Sequence, residues 1–171
     1  LCVCAAPAAE RKEMRTLIDF EDGADAELLK KSSENCEFDI VQDNGVTSGK
    51  NCCRWVGKAG AGWASTEIHG EKLKDWDKFD YFVMDVFIER EEKLGIAFEL
   101  WDADSKNYHT RCTYDAKTHV GKNTLMWKIN RAKRNNKEGR DWEELEPKDK
   151  IKLNALSKVK IFFTPFKDGG N

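Results

Sequence analysis

Tyr81-Phe82-Val83-Met84-Asp85-Val86-Phe87-Ile88 and, five residues further on, Leu94-Gly95-Ile96-Ala97-Phe98-Glu99-Leu100-Trp101 carry the decisive pattern of this chain. A β-strand sends successive side chains to opposite faces, so a period of two is its signature. In the first stretch Phe82, Met84, Val86 and Ile88 share one face, and Tyr81, Val83, Asp85 and Phe87 share the other. Both faces are apolar enough to be covered, which marks an interior strand. In the second stretch Leu94, Ile96, Phe98 and Leu100 form the core face and leave Gly95, Ala97, Glu99 and Trp101 opposite.

The same rhythm spreads outward from this pair. Strand patterns fall at 16–20, 36–41, 52–56 and 63–68 before it, and at 108–114, 123–129 and around Val159, Ile161 and Phe163 after it. In 108–114 the alternation puts Tyr108, Thr110, Cys112 and Tyr114 on one side and His109, Arg111 and Thr113 on the other. Turn-rich clusters separate the segments, and such spacing predicts an all-β sandwich of two antiparallel sheets. Two stretches break the rhythm. Residues 24–33 suit a short helix or a loop, and 131–152 is a charged loop or short-helix insertion with a helical turn expected around 141–145. Between 128 and 160 there are 11 Lys or Arg against 6 Asp or Glu. They lack the interleaved aromatics or single basic face of a nucleic-acid surface, so nucleic acid is not an expected partner.

Length and composition agree with one folded domain. The chain has 171 residues, 40% apolar, with 29 basic and 31 acidic side chains, which excludes collagen-like and disordered classes. No run approaches the roughly 18 apolar residues of a membrane span. A net charge of −2 supplies no global attraction to nucleic acid or anionic lipid, and points to a neutral partner. Residues 1–13, beginning Leu1-Cys2-Val3-Cys4-Ala5-Ala6-Pro7-Ala8-Ala9, read as the remnant of a signal peptide and its leader, which would place residues 14–171 outside the cytoplasm, in a periplasm, at a cell surface or secreted. Cys36, Cys52, Cys53 and Cys112 then remain in the domain. In an oxidising compartment one bridge between neighbouring strands is plausible, and adjacent Cys52 and Cys53, facing opposite sides of a strand, do not pair with each other. His69, His109 and His119 are too scattered for a zinc site.

The order of the segments carries a resemblance that no single one of them does. Leu17-Ile18-Asp19-Phe20-Glu21-Asp22-Gly23, Asn44-Gly45-Val46-Thr47-Ser48-Gly49-Lys50-Asn51 and Asp75-Trp76-Asp77-Lys78-Phe79-Asp80-Tyr81 are followed by Trp101-Asp102-Ala103-Asp104-Ser105-Lys106-Asn107-Tyr108, Gly121-Lys122-Asn123-Thr124-Leu125 and Leu156-Ser157-Lys158-Val159-Lys160-Ile161-Phe162-Phe163. Over residues 16–168 the series resembles the galactose-binding-like jelly-roll domains that serve as carbohydrate-binding modules beside extracellular glycoside hydrolases of agarase and β-galactosidase type. The resemblance implies a non-catalytic domain that binds a polysaccharide or oligosaccharide and holds a linked or partner catalytic domain near its substrate. It also implies a structural calcium ion, with carboxylate oxygen from Asp19 and Glu21 and further oxygens from Asn44, Ser48 and Lys50 in the loop 44–51; hard cations of this kind take six to eight oxygens. Family members close with one more strand bearing an acidic ligand, and this chain ends at Asp168-Gly169-Gly170-Asn171. The expectation is a domain cut before its last strand, with one calcium ligand missing.

Sugar binding needs a flat aromatic face against the apolar side of a pyranose ring, beside groups that hydrogen-bond its hydroxyls. Asp85, Glu99, Trp101, His109 and Arg111 all fall opposite the core face of their strands and are expected to form one such patch if the strands are neighbours. Trp63, Trp76 and Trp142 are alternative platforms in loops, whereas Trp55 and Trp127 are expected in the core. A glycoside hydrolase would instead use Asp85 with Glu99, or Asp102 with Asp104, as a carboxylate pair; retaining enzymes hold theirs about 5 Å apart in a cleft. No GxSxG elbow is present. Protein adhesion at a cell surface fits the same architecture.

Overall fold

The computed structural model describes residues 2–3, 14–58, 63–89 and 94–165. They form ten strands, one α-helix and a series of short 3-10 turns: β1 (Cys2–Val3), β2 (Arg15–Thr16), α1 (Ala24–Lys31), β3 (Cys36–Val41), β4 (Cys52–Gly57), β5 (Ser65–Ile68), β6 (Tyr81–Ile88), β7 (Leu94–Asp102), β8 (Cys112–Lys117), β9 (Gly121–Lys128) and β10 (Leu156–Pro165). The fold is mostly β, and every strand pair is antiparallel. One sheet has the order β2-β1-β6-β9, the second β5-β10-β7-β8, and β3 with β4 makes a separate ribbon.

The alternation in β6 and β7 turns these sheets into two layers. Phe82 of β6 stacks on Phe98 of β7 with ring centroids 4.3 Å apart, and Trp127 of β9 lies 5.1 Å from Phe98. Each such ring buries about 150–250 Å² of apolar surface, so this stack dominates the drive to close the layers. Ile96, Leu100, Val159 and Ile161 complete the inner face of the second sheet. The β3-β4 ribbon docks beside it through Phe38, Trp55 and Phe163, with centroids 5.0 and 4.3 Å apart. Trp55 is half-buried there and Trp127 is buried.

Several expected elements shift. The stretch 16–20 pairs only at Arg15–Thr16, because Leu17 and Ile18 are both buried in succession and Phe20 adopts a left-handed backbone with φ 65°. The strand expected over 63–68 starts at Ser65, and that over 108–114 is a 3-10 turn, Tyr108–Thr110, ahead of β8. Asn107 forms a capping box with Thr110, and this polar clasp outcompetes a strand. Trp76, expected as a loop platform, is 0% exposed and stacks 5.5 Å from Phe82. β10 is an interior strand between β5 and β7, and the edges of the second sheet are β5 and β8. A closing strand after β10 lies outside the described residues, as does most of the leader; Cys2–Val3 pairs between β2 and β6.

Residues 24–33 contain α1, with Asp25 and Glu27 in its first turn and Lys30 and Lys31 in its last, each matching the helix dipole. The charged excursion 131–152 is a chain of 3-10 turns. Arg131–Glu143 and Lys137–Asp149 pair within it, and Lys152 pairs with Asp104 beyond the end of β7. Cys36, Cys52, Cys53 and Cys112 are free thiols, so the anticipated bridge between strands is absent among the described residues. Burial pushes the Cys53 and Cys112 thiols up to about 12, which keeps them protonated and unreactive.

Candidate functional site

The outer face of the second sheet gathers charge by register. Lys160 of β10 lies directly between Glu67 of β5 and Glu99 of β7, and Lys158 pairs with Trp101. Arg111 enters from the residue just before β8, carried there by the Asn107–Thr110 clasp. Glu99, Trp101, Arg111, Lys158 and Lys160 floor an open cleft of about 450 Å³, walled by Glu34, Asn35, Trp63, Ser65 and Phe162. That volume falls in the ordinary range for ligand pockets, roughly 300–1,000 Å³.

Glu99 is the anchor. It is 2% exposed although it points away from the core. Arg111 Nη2 approaches its Oε1 at 2.6 Å, and Trp101 Nε1 donates to its Oε2 at 2.9 Å. Desolvation raises its pKa, and the opposing pull of Trp101, Arg111, Lys160 and Lys158 does not cancel that rise. Trp101 is thereby locked, and its ring is taken by cations: the Arg111 guanidinium lies 5.0 Å from its centroid and Lys158 Nζ 4.6 Å. Arg111 also lies 5.2 Å from the ring of Tyr108. The open aromatic surface belongs to Trp63, 61% exposed and held at its other side by Phe162 at 5.0 Å.

The structure therefore brings together Glu99, Trp101 and Arg111 and separates the rest of the expected patch. Asp85 stands on β6, in the opposite sheet, where its Oδ1 accepts a 2.7 Å hydrogen bond from Thr124 Oγ1. Alternation says which face of a strand a residue takes, not which sheet the strand joins. His109 sits on the 3-10 turn against Tyr108, centroids 5.5 Å apart, and does not line the cleft. Lys158 and Lys160 were missed, although the alternation Lys158-Val159-Lys160-Ile161 already marks them as facing away from the core. Trp63, expected as an alternative platform in a loop, forms the wall of the cleft.

Of the two carboxylate pairs a hydrolase would use, Asp85 with Glu99 is not assembled, whereas Asp102 and Asp104 both reach Arg134 Nη2, at 3.0 and 3.9 Å. Asp85 and Glu99 occupy different sheets, while Asp102 is bound by Arg134 Nη2 at 3.0 Å and by the Lys152 N–H at 3.0 Å, and Asp104 pairs with Lys152.

The calcium ligands implied by the resemblance meet in part. Glu21 does reach the loop 44–51, but its Oε1 accepts the backbone N–H groups of Lys50 and Asn51 at 2.9 and 3.0 Å. Asp19 Oδ1 likewise accepts the Glu21 N–H at 3.1 Å. Asn44, Ser48 and Lys50 are exposed. As placed, Glu21 Oε1 and Asp19 Oδ1 accept N–H groups that tie the turn after residue 18 to the loop 44–51. Among the described residues no group of three or more His, Cys, Asp or Glu is arranged to hold a metal, and no helix is long and apolar enough to cross a membrane. Compared with known proteins, the chain fits no family model, and neither a curated protein nor a solved structure matches it.

Proposed function

We propose that this chain is a non-catalytic polysaccharide-binding domain of jelly-roll type, acting outside the cytoplasm to hold a linked or partner glycoside hydrolase near its substrate. The observation that carries the proposal is Trp63, a large aromatic left 61% exposed on the wall of a cleft whose floor is a fixed array of hydrogen-bonding groups. Exposed single apolar residues are common, but an open ring beside locked polar partners supplies both halves of sugar recognition. Arg111, Lys158, Lys160 and Asn35 offer donors to ring hydroxyls, and Asn35 also offers an acceptor.

Affinity electrophoresis through gels containing different polysaccharides tests the proposal. Retardation on at least one of them is expected, and Trp63→Ala should weaken it by at least roughly tenfold, as truncation of a central aromatic anchor does. The substitution lies on the surface and should leave the melting temperature nearly unchanged. Release of reducing ends would favour a hydrolase instead. Absence of both retardation and product would favour an adhesion domain.

A further inference from the structure

We propose that the sugar taken by this cleft carries an oxyanion, a carboxylate or a sulfate ester, seated among Arg111, Lys158 and Lys160; the inference rests on the saccharide-binding reading above. The protein as a whole has a net charge of −2, yet three cations converge on one cleft. Each keeps unused donor capacity. Arg111 spends Nη2 on Glu99 and Nε on Thr113 Oγ1 at 3.3 Å, and its Nη1 has no acceptor among the described residues. Among the described residues Lys158 Nζ has a single close carboxylate, Glu67, at 2.8 Å. Lys160 is held loosely, with Glu34 at 3.4 Å and Glu67 at 4.0 Å. An ammonium offers three donors and a guanidinium five, so each of the three has N–H groups left to donate to a further oxygen.

The carboxylates nearby are placed so that they do not bar an incoming anion. Glu99 lies beneath the floor with both oxygens engaged. Glu67 is turned towards the lysines and His69, whose Nε2 lies 3.0 Å from its Oε2. Glu34 is the rim residue, with its side chain 67% exposed. Moving it aside breaks one exposed ion pair and the long 3.3 Å hydrogen bond that its Oε2 accepts from the Ser65 hydroxyl, both weak contacts. An oxyanion on the ligand would replace it next to Lys160 and reach the planar edge of Arg111, the geometry that favours carboxylate and sulfate. Trp63 supplies the apolar face and Asn35 a neutral amide for the rest of the ring, and for that reason a sugar suits the cleft better than a bare anion.

The test uses isothermal titration with polygalacturonate, a sulfated galactan and uncharged agarose oligosaccharides, at about 50 and 500 mM salt, for the native chain, Lys160→Gln and Trp63→Ala. The polygalacturonate and sulfated arms separate the two sources of oxyanion. Tighter binding of at least one acidic ligand than of agarose is expected. It should weaken roughly tenfold in Lys160→Gln, the scale of one charge-assisted hydrogen bond, fall with salt because ion pairs in an open cleft are screened, and fall again in Trp63→Ala. Binding of agarose alone, indifferent to salt and to Lys160→Gln, would overturn the oxyanion inference and leave the saccharide-binding reading standing. Acidic binding that Trp63→Ala does not alter would overturn the inference as non-specific polyanion adsorption. No binding of any of the three by variants and native chain alike would overturn both.

Discussion

Glu99 concentrates the physics of the cleft in one side chain. A carboxylate 2% exposed would be expelled from the fold or protonated without partners, and here Arg111 and Trp101 hold it in place. Desolvation still outweighs them, so its pKa is raised above the ordinary 4.5. The folded protein then binds this proton more tightly than the unfolded chain does. The stability linked to Glu99 is full below about pH 4.5 and is lost as pH rises through the raised folded value. Glu99→Gln removes that titration while leaving a constant offset from the unpaired Arg111. Urea midpoints should therefore shift in favour of the variant, relative to the native chain, between about pH 4 and pH 7. A difference that stays flat across this window would show that Glu99 titrates as an ordinary exposed acid.

At the scale of elements, the excursion 131–152 is tied to the end of β7 by a buried ion pair. Arg134 donates to Asp102, with side chains 6% and 0% exposed, and also to the carbonyl oxygens of Lys148 and Thr110. Next to it, Asn135 donates its backbone N–H to the Arg111 carbonyl at 2.7 Å and accepts the Thr113 N–H at 2.8 Å. The excursion thus covers the start of the β8 edge, which would otherwise offer unpaired backbone groups, and fixes the residue that carries the guanidinium of the cleft. Desolvation pushes Asp102 upward, but the Lys152 N–H, Arg134 and Ser105 together outweigh it and hold its pKa below the ordinary 3.8. Its contribution is accordingly present above pH 3.8 and is lost as pH falls through the lower folded value. Arg134→Ala leaves that charge buried and unpaired, and should cost about 3–5 kcal/mol in chemical denaturation. A loss below about 1 kcal/mol would mean that the excursion is not anchored by this pair.

For the whole molecule, stability rests on the aromatic stack between the sheets. Phe98 touches that stack from both sides, with Phe82 at 4.3 Å, Trp127 at 5.1 Å and Trp76 at 6.3 Å. Phe98→Ala removes the ring that joins β7 to β6 and β9, and should cost about 3–5 kcal/mol. That is a large part of the roughly 5–15 kcal/mol by which domains are stable. Calorimetry should record a fall in melting temperature of roughly 10 °C or more. A drop of only 1–2 °C, of order the shift for a surface change, would place the centre of the core elsewhere.

The period-two runs settled by themselves that β3 and β6 span 36–41 and 81–88, that Phe98 faces inward, and that Glu99 and Trp101 point away from the core. These properties are local, because backbone geometry alone alternates the side chains. Tertiary structure alone decided that Asp85 belongs to the opposite sheet, that β10 inserts between β5 and β7, and that Lys158, Lys160 and Trp63 therefore meet Glu99 and Arg111. Strand order and register come from pairing between residues far apart in the chain, and from the burial those pairings allow, neither of which leaves a mark in any one segment. Trp76 shows the same limit in a turn, where the sequence around it is polar and only the packed aromatic stack reveals that the ring lies in the core.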